Sequence, residues 1–396
     1  MKKILVSCGI LIGGGAVGWL IGSSSKAMLT SLAFSPPGVF GLTIQLITAL
    51  LIAILIHELG HVIGGKLAGY SFIMLVVGPF KWVREQGRVR WRWNTSLNTF
   101  GGLALMIPPV AESEPSRMAR YILGGPIASF CLGVFSILGL ALLQTTQPHS
   151  VLVNQGGFFL VIVAAIALMT GVATLIPFSS SGFASDGGQY LDLMRGGHRA
   201  ERRLLMLTLS AYSFNGRRPR EWDAALVARL LELAEQRLDQ IAAAAHHFAF
   251  YYYLDLGQID HAGAELDRAL ALAEAYPAEL RPGLWLELAY FQARYRRDPE
   301  GAAESLKKGA GGFVEAHTRA RAKAAVALSK GDLQEAITAI DLALSQIDRS
   351  MDRGGAIAEK EWLLELQTQA HCLANEGCAV AVGKDKCHDA LLLPDA

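Results

Sequence analysis

Five consecutive residues have the types and spacing of a metal hydrolase: His57-Glu58-Leu59-Gly60-His61. On a helix, two His four positions apart share one face, so both imidazoles can bind one zinc ion. Glu58 lies beside them and can take a proton from a water that the zinc activates. The pentapeptide arises by chance in large proteomes, so its placement carries weight. It closes an apolar stretch that runs from Val39 to Ile56. Two His and a Glu are costly at the end of a membrane span, and such residues are functional by default. The bland alternative is a helix leaving the membrane with both imidazoles at the interface.

A hydrolytic zinc site takes three protein ligands and keeps one position open. The acidic residues among the first 191 positions are Glu58, Glu85, Glu112, Glu114 and Asp186. Glu85 falls in a strand-like segment, and Glu112 and Glu114 in a polar loop. Asp186 follows a later apolar stretch and precedes Gly187 and Gly188, which permit close backbone approach. Asp186 is the expected third ligand. Its alternative role is the N-cap of a helix over Gln189–Arg195, and the two roles are compatible. His198 is a rival ligand further into the charged region. His149 falls on the opposite side of the membrane by the charge rule below.

Stepping outward, four apolar stretches approach or exceed the roughly 20 residues needed to cross a bilayer. They run Ile4–Gly22, Val39–Ile56, Met118–Leu143 and Val151–Pro177. The first follows Lys2 and Lys3, as a signal peptide would, but its apolar run is longer than the roughly 7–15 residues of such segments. A retained span is the preferred reading. The 144–154 connection has no Lys or Arg, whereas the Tyr70–Arg120 segment has seven and the stretch after the fourth span adds Arg195, Arg199, Arg202 and Arg203. Basic segments stay cytoplasmic, which puts both termini and the Tyr70–Arg120 segment on that side. An integral multi-pass protein of a bacterial cytoplasmic membrane is expected.

Arg88-Val89-Arg90-Trp91-Arg92-Trp93 alternates basic with apolar, the period of a strand. Gln86-Gly87 can turn the chain back onto Lys81–Arg84. The reading is an interfacial β-hairpin with Trp82, Trp91 and Trp93 at headgroup level. It is either a surface anchor or an edge strand that receives an extended substrate.

At this point the sequence resembles the site-2 protease family, zinc metalloproteases that cut inside membranes. His57–His61 runs into Val62-Ile63-Gly64-Gly65-Lys66-Leu67-Ala68-Gly69 as the family's first motif does. Gly124-Gly125-Pro126-Ile127-Ala128-Ser129 resembles its G-P-x-x-N segment. Leu175-Ile176-Pro177 and then Asp186-Gly187-Gly188 resemble its N-x-x-P-x-x-x-x-D-G motif. The resemblance covers about residues 39–195. It implies intramembrane proteolysis of transmembrane protein substrates, with His57, His61 and Asp186 on Zn2+ and Glu58 as base. Thr174 and Ser129 stand where the family usually has Asn, and keep hydroxyls that could contact substrate or transition state. A Ser/Gly-rich insert, residues 179–185, lengthens the step from Pro177 to Asp186. A proteolytically silent membrane scaffold or chaperone on the same fold is the alternative function. An ordinary zincin acting on soluble peptides is disfavoured by the apolar helix that carries the motif.

The chain has 396 residues, 52% hydrophobic and 18% charged. Residues 1–176 hold 11 basic and 4 acidic residues, for a net +7, and the remainder is net −6. This split excludes a fully soluble single domain, a disordered chain and a disulfide-rich secreted one. The overall net charge of +1 gives no field that would favour nucleic acid. From about Gly196 the composition is soluble and helical. Gly257-Gln-Ile-Asp-His-Ala262, Arg297-Asp-Pro-Glu-Gly-Ala302 and Gly331-Asp-Leu-Gln-Glu-Ala336 resemble one another, and the last two start 34 residues apart, as tetratricopeptide repeats do. The repeats would bind a protein partner or a substrate's cytosolic part. A generic helical bundle is the alternative. Tyr251-Tyr252-Tyr253 beside His246-His247 reads as helix packing. His371, Cys372, Cys378, Cys387 and His388 fit no common zinc pattern and read as a reduced, flexible tail.

The expected architecture is therefore an all-α polytopic membrane protein of about four transmembrane helices, with a small interfacial β-hairpin and a C-terminal soluble α-helical repeat domain. The expected divisions are 1–195 for the metalloprotease domain, 196–370 for the repeats and 371–396 for the tail.

Overall fold

The computed structural model describes residues 37–85, 87–95, 99–109, 114–145, 150–180, 183–276, 278 and 280–376. The apolar stretch Ile4–Gly22, His149, Glu112 and the tail from Cys378 to His388 lie outside the described residues. Among the described residues the chain is mainly helical, with a small four-stranded sheet and three helices long and apolar enough to cross a membrane.

These three are α1 (Val39–Leu67), α2 (Pro115–Gln144) and α3 (Val151–Leu175). Helix α1 continues past the apolar stretch that ends at Ile56, through the metal motif, to Leu67. Its 29 residues span about 44 Å, so it exceeds the roughly 30 Å hydrocarbon layer. The metal motif occupies its last third. Helix α2 begins with Pro115, which lacks a donor that the first turn would not use anyway. It also holds Pro126 inside, so the carbonyl four residues earlier loses its helical partner.

The chain divides into two compact units whose boundaries fall inside α1 and α2. In the first unit, reaching Gly60 and including Gly125–Thr174, Ala49 on α1 packs against Phe158, Ile162 and Val163 on α3. Small residues let helices close without a hydrophobic drive from water. Gly171 faces Phe130 and Ser129 in this way.

The second unit contains His61–Gly124 and everything from Leu175. Its sheet comprises β1 (Ser71–Val77), β2 (Phe80–Glu85), β3 (Arg88–Trp93) and β4 (Leu103–Ile107), antiparallel in the order β3-β2-β1-β4. The expected hairpin is present as β2–β3, with Trp82 opposite Trp91 and Glu85 opposite Arg88. It is one half of a larger sheet. The apolar run Met74–Val77 makes β1 a buried inner strand, whereas all six residues of β3 are exposed at the edge.

Past α3, two short strands, β5 (Ser179–Ser180) and β6 (Phe183–Ala184), form a small ladder across the Ser/Gly-rich insert. Helices α4 (Asp186–Arg195) and α5 (Gly197–Phe214) follow. Met118 and Ile122 at the start of α2 form one core with Leu193 of α4, flanked by Leu204 and Leu207 of α5.

The remaining helices are α6 (Ala224–Glu235), α7 (Gln240–Asp255), α8 (Ile259–Ala271), α9 (Arg281–Phe291), α10 (Pro299–Lys308), α11 (Ala316–Ser329), α12 (Leu333–Ile347) and α13 (Arg353–Glu376). The three similar segments fall at equivalent places, in the turns α7–α8, α9–α10 and α11–α12. Gly257, Arg297 and Gly331 each take positive φ, and Ala262, Ala302 and Ala336 are each fully buried five residues later. Helix α13 continues through His371 and Cys372, six residues into the stretch expected as a flexible tail.

Candidate metal centre

The site begins with one helix face. His57, Glu58 and His61 are fixed relative to one another by the helical repeat of α1, and all three are buried. Each imidazole is oriented through its Nδ1 atom. His61 Nδ1 lies 2.9 Å from the Tyr121 carbonyl oxygen. A carbonyl only accepts, so Nδ1 carries the proton and Nε2 presents its lone pair. His57 Nδ1 lies 2.9 Å from Ser129 Oγ, and Ser129 is 1% exposed. Such partners fix the ring and tautomer of a metal-binding His.

The close approach of α1 to α2 near His61 follows from a glycine. A Cβ on Gly64 would sit 2.3 Å from the Arg120 carbonyl oxygen, so no other residue fits there. Tyr121 is further secured by its hydroxyl, which donates to the Ala104 carbonyl of β4 at 2.6 Å, and by stacking on Tyr70. Burial pushes the Tyr70 phenol up to about 12, against the opposing charge of Arg117, so it stays protonated.

Asp186 arrives by a different route. A Cβ on Gly187 would lie 1.8 Å from the Leu175 carbonyl oxygen, so this glycine allows α4 to start directly against the end of α3. Ser185 clasps the loop between them. Its hydroxyl donates to the Ile176 carbonyl at 2.7 Å and accepts from the Phe178 and Gly188 amides. The N-cap of α4 is therefore Ser185, one residue before Asp186. The cap role considered for Asp186 belongs to its neighbour, and the Asp186 carboxylate is directed to His61, with Oδ1 3.5 Å from Nε2.

One ligand atom from each of His57, His61 and Asp186 lies within 4.8 Å of the others. Two imidazoles and a carboxylate are a donor set that suits zinc, and the two Nδ1 partners leave the other ring nitrogens for a metal. His198 is not part of this group, since its Nδ1 meets Gln236 Oε1 at 2.6 Å. Glu114 faces Ser116 and Arg117. The Thr174 hydroxyl turns back to the Gly171 carbonyl of its own helix at 3.4 Å. The Ser129 hydroxyl, a candidate contact to substrate or transition state, meets the His57 imidazole. Sequence reasoning missed Tyr121 and Ser185. Tyr121 contributes its backbone carbonyl, which leaves no trace in residue type. Ser185 had a signal in its place just before a helix with Gly188 three residues on.

An apolar membrane-length helix that carries His-Glu-x-x-His, with a carboxylate brought to the second His, defines a membrane metalloprotease. The sequence pattern of peptidase family M50, the family of the site-2 proteases, matches residues 45–347. This is about three-quarters of the chain, and the chain belongs to that family. No curated protein and no solved structure matches it.

Proposed function

We propose that the chain is a zinc-dependent endopeptidase that hydrolyses peptide bonds in or near transmembrane segments of membrane-protein substrates. The observation that carries this reading is the convergence of His57, His61 and Asp186, with each imidazole held through Nδ1. These three residues would hold the ion. Zinc bound there would polarise a scissile carbonyl and would lower the pKa of a water toward neutrality. Glu58, buried and one residue from His57 on the same helix, takes the water's proton and passes it to the leaving nitrogen.

A transmembrane helix has its carbonyls bonded internally, so the substrate must open locally before hydrolysis. The exposed edge strand β3 is the element that would receive such an opened segment as a further strand. The distribution of basic residues places the sheet and the C-terminal helices in the cytoplasm. The helix pairs α7–α8, α9–α10 and α11–α12 act as tetratricopeptide-like repeats that engage a protein partner or the substrate's cytosolic part.

The test is zinc per purified chain, in the wild type and in Asp186→Ala, followed by comparison of membrane-protein fragments between wild-type and Glu58→Gln cells. About one zinc per wild-type chain, lost in Asp186→Ala, is expected. A wild type that purifies without zinc in the absence of chelator would instead favour a silent scaffold. Zinc retained equally in both would assign the third ligand elsewhere.

A further inference from the structure

A cavity of about 500 Å3 opens beyond the end of α3, lined by residues of the α3–α4 connection, α4, α5 and the start of α7. Its walls carry five guanidiniums, Arg195, Arg199, Arg202, Arg203 and Arg237, but only two carboxylates, Asp192 and Asp239. Asp192 is divided between Arg199 at 3.6 Å and Arg203 at 3.8 Å, both beyond hydrogen-bond distance. Asp239 is divided between Arg202 and Arg237, and also accepts from the Ile241 and Ala242 amides as the cap of α7. The lining is left with three positive charges in excess.

Two of these cations are not solvated as surface arginines are. The Nε atoms of both Arg202 and Arg203 are buried and have no hydrogen-bond partner. Burial presses the pKa of Arg203 down from its ordinary value, against the support of Asp192 and Asp239. A protein that keeps so many guanidiniums around one cavity has a use for their planar, forked donors, and those donors match phosphate oxygens.

The rim indicates where the phosphate comes from. Pro177 and Phe178 line the cavity and follow within three residues of Leu175, where a membrane-length apolar helix ends. Phe178 and, on the far side, Leu238 are 55% and 70% exposed. Guanidiniums beneath an apolar lip, at the end of a membrane span, suit a headgroup whose chains stay in the bilayer.

We propose that this arginine cavity binds a phosphate-bearing anion, supplied as the headgroup of an anionic phospholipid. Pro177 and Phe178 of the α3–α4 connection, which leads into Asp186, line the cavity, so a bound headgroup would tether that connection to the membrane surface.

The full-length protein is reconstituted in nanodiscs of phosphatidylcholine alone or doped with phosphatidylglycerol, and lipid retained after detergent release is counted by native mass spectrometry. Thermal shifts are recorded in parallel with inorganic phosphate and with glycerol 3-phosphate. Arg195 and Arg199 are exposed, so the double variant Arg195→Glu/Arg199→Glu keeps its fold. The wild type is expected to retain phosphatidylglycerol over phosphatidylcholine, and the double variant to lose roughly tenfold or more of that retention. Asp192→Asn, which removes a competing carboxylate, is expected to raise it. A shift with the soluble phosphates but no preference among lipids would overturn the headgroup as source and leave a soluble phosphate ester. Equal retention of both lipids in all three proteins, with no shift from either soluble phosphate, would overturn the site altogether. Zinc content is unchanged in every variant, so failure here is distinguishable from failure of the proteolytic reading.

Discussion

Two buried polar clusters in this molecule are built from similar side chains and do opposite things. In the C-terminal helices, Arg321 is fully buried and donates to both oxygens of Glu287 at 2.6 and 2.7 Å and to Glu359 at 3.0 Å. Its guanidinium also lies over the rings of Tyr290 and Trp362, and Tyr251 donates to Glu287. On α1, His57 and His61 are equally buried, and the group they form with Asp186 consists of donors to a cation. The helical cluster contains its own cation, which two buried carboxylates and two aromatic rings enclose, although Arg321 Nη1 is buried without a hydrogen-bond partner. The membrane cluster is a donor set without a cation of its own, of the kind that could hold a metal ion. Buried charge therefore marks function only when its geometry converges on a point outside the side chains themselves.

Metal removal should separate the two most sharply. Treatment with a zinc chelator is expected to abolish peptidase activity while the thermal unfolding of the helical region stays put. Loss of both together would mean that the metal site also holds the helical region. Close behind comes Glu58→Gln, expected to lower turnover of a membrane-protein substrate by about 10²–10⁴-fold, with zinc content unchanged. If zinc fell in parallel, Glu58 would be a ligand or a structural support rather than the base.

Arg321→Met tests the helical cluster. It leaves Glu287 and Glu359 buried without their cation, and breaking such a pair costs about 3–5 kcal/mol. The expected result is a clear drop in the unfolding midpoint with zinc binding intact. A variant as stable as the wild type would show that the cluster is plastic, and that the contrast with the membrane site is one of degree.

The same cluster predicts a pH dependence. Burial pushes the Glu359 carboxyl up to about 7, against the lowering effect of Arg321. The folded chain thus holds a proton on Glu359 that the unfolded chain releases in the ordinary carboxylate range. Stability from this group is present at low pH and is lost as pH rises toward 7, with a limiting slope of about 1.4 kcal/mol per pH unit. Burial holds the neighbouring His317 below its ordinary pKa, which acts in the opposite sense. Comparison with Glu359→Gln isolates the effect. The wild-type advantage over the variant should shrink as pH is raised from about 5 to 7, and a flat difference would remove Glu359 as the titrating group.

The two clusters also differ in how far they could be read from sequence. His57, Glu58 and His61 are local, within five consecutive residues of one helix, and their types declare a metal chemistry. Asp186 was reachable because few acidic residues precede it in so apolar a region. The hairpin was legible in the alternation from Arg88 to Trp93, but its continuation into a four-stranded sheet was not. β1 is a plain apolar run, and its partner β4 pairs across a gap of about 25 residues. Arg321, Glu287 and Glu359 are ordinary helix residues whose meeting depends on how three helices pack, so nothing in their spacing announces it. The turns at Gly257, Arg297 and Gly331 were visible as similar segments. That Arg297 takes the left-handed conformation where the others have glycine is visible only in the backbone.

The finest test concerns the supports of the two imidazoles. His61 leans on a backbone carbonyl that no substitution removes, whereas His57 leans on the Ser129 hydroxyl. Ser129→Ala deletes one hydrogen bond and little volume, and loss of such a support typically costs 10–100-fold in metal affinity or activity. We expect zinc affinity to fall within that range, with a matching loss of turnover that added zinc restores. Ser129→Thr, which keeps the hydroxyl, should recover most of the affinity if its methyl is accommodated. A contact made by Ser129 with substrate would behave differently. Turnover would then fall with zinc affinity unchanged, and the residue would pass from the metal's support to the peptide's.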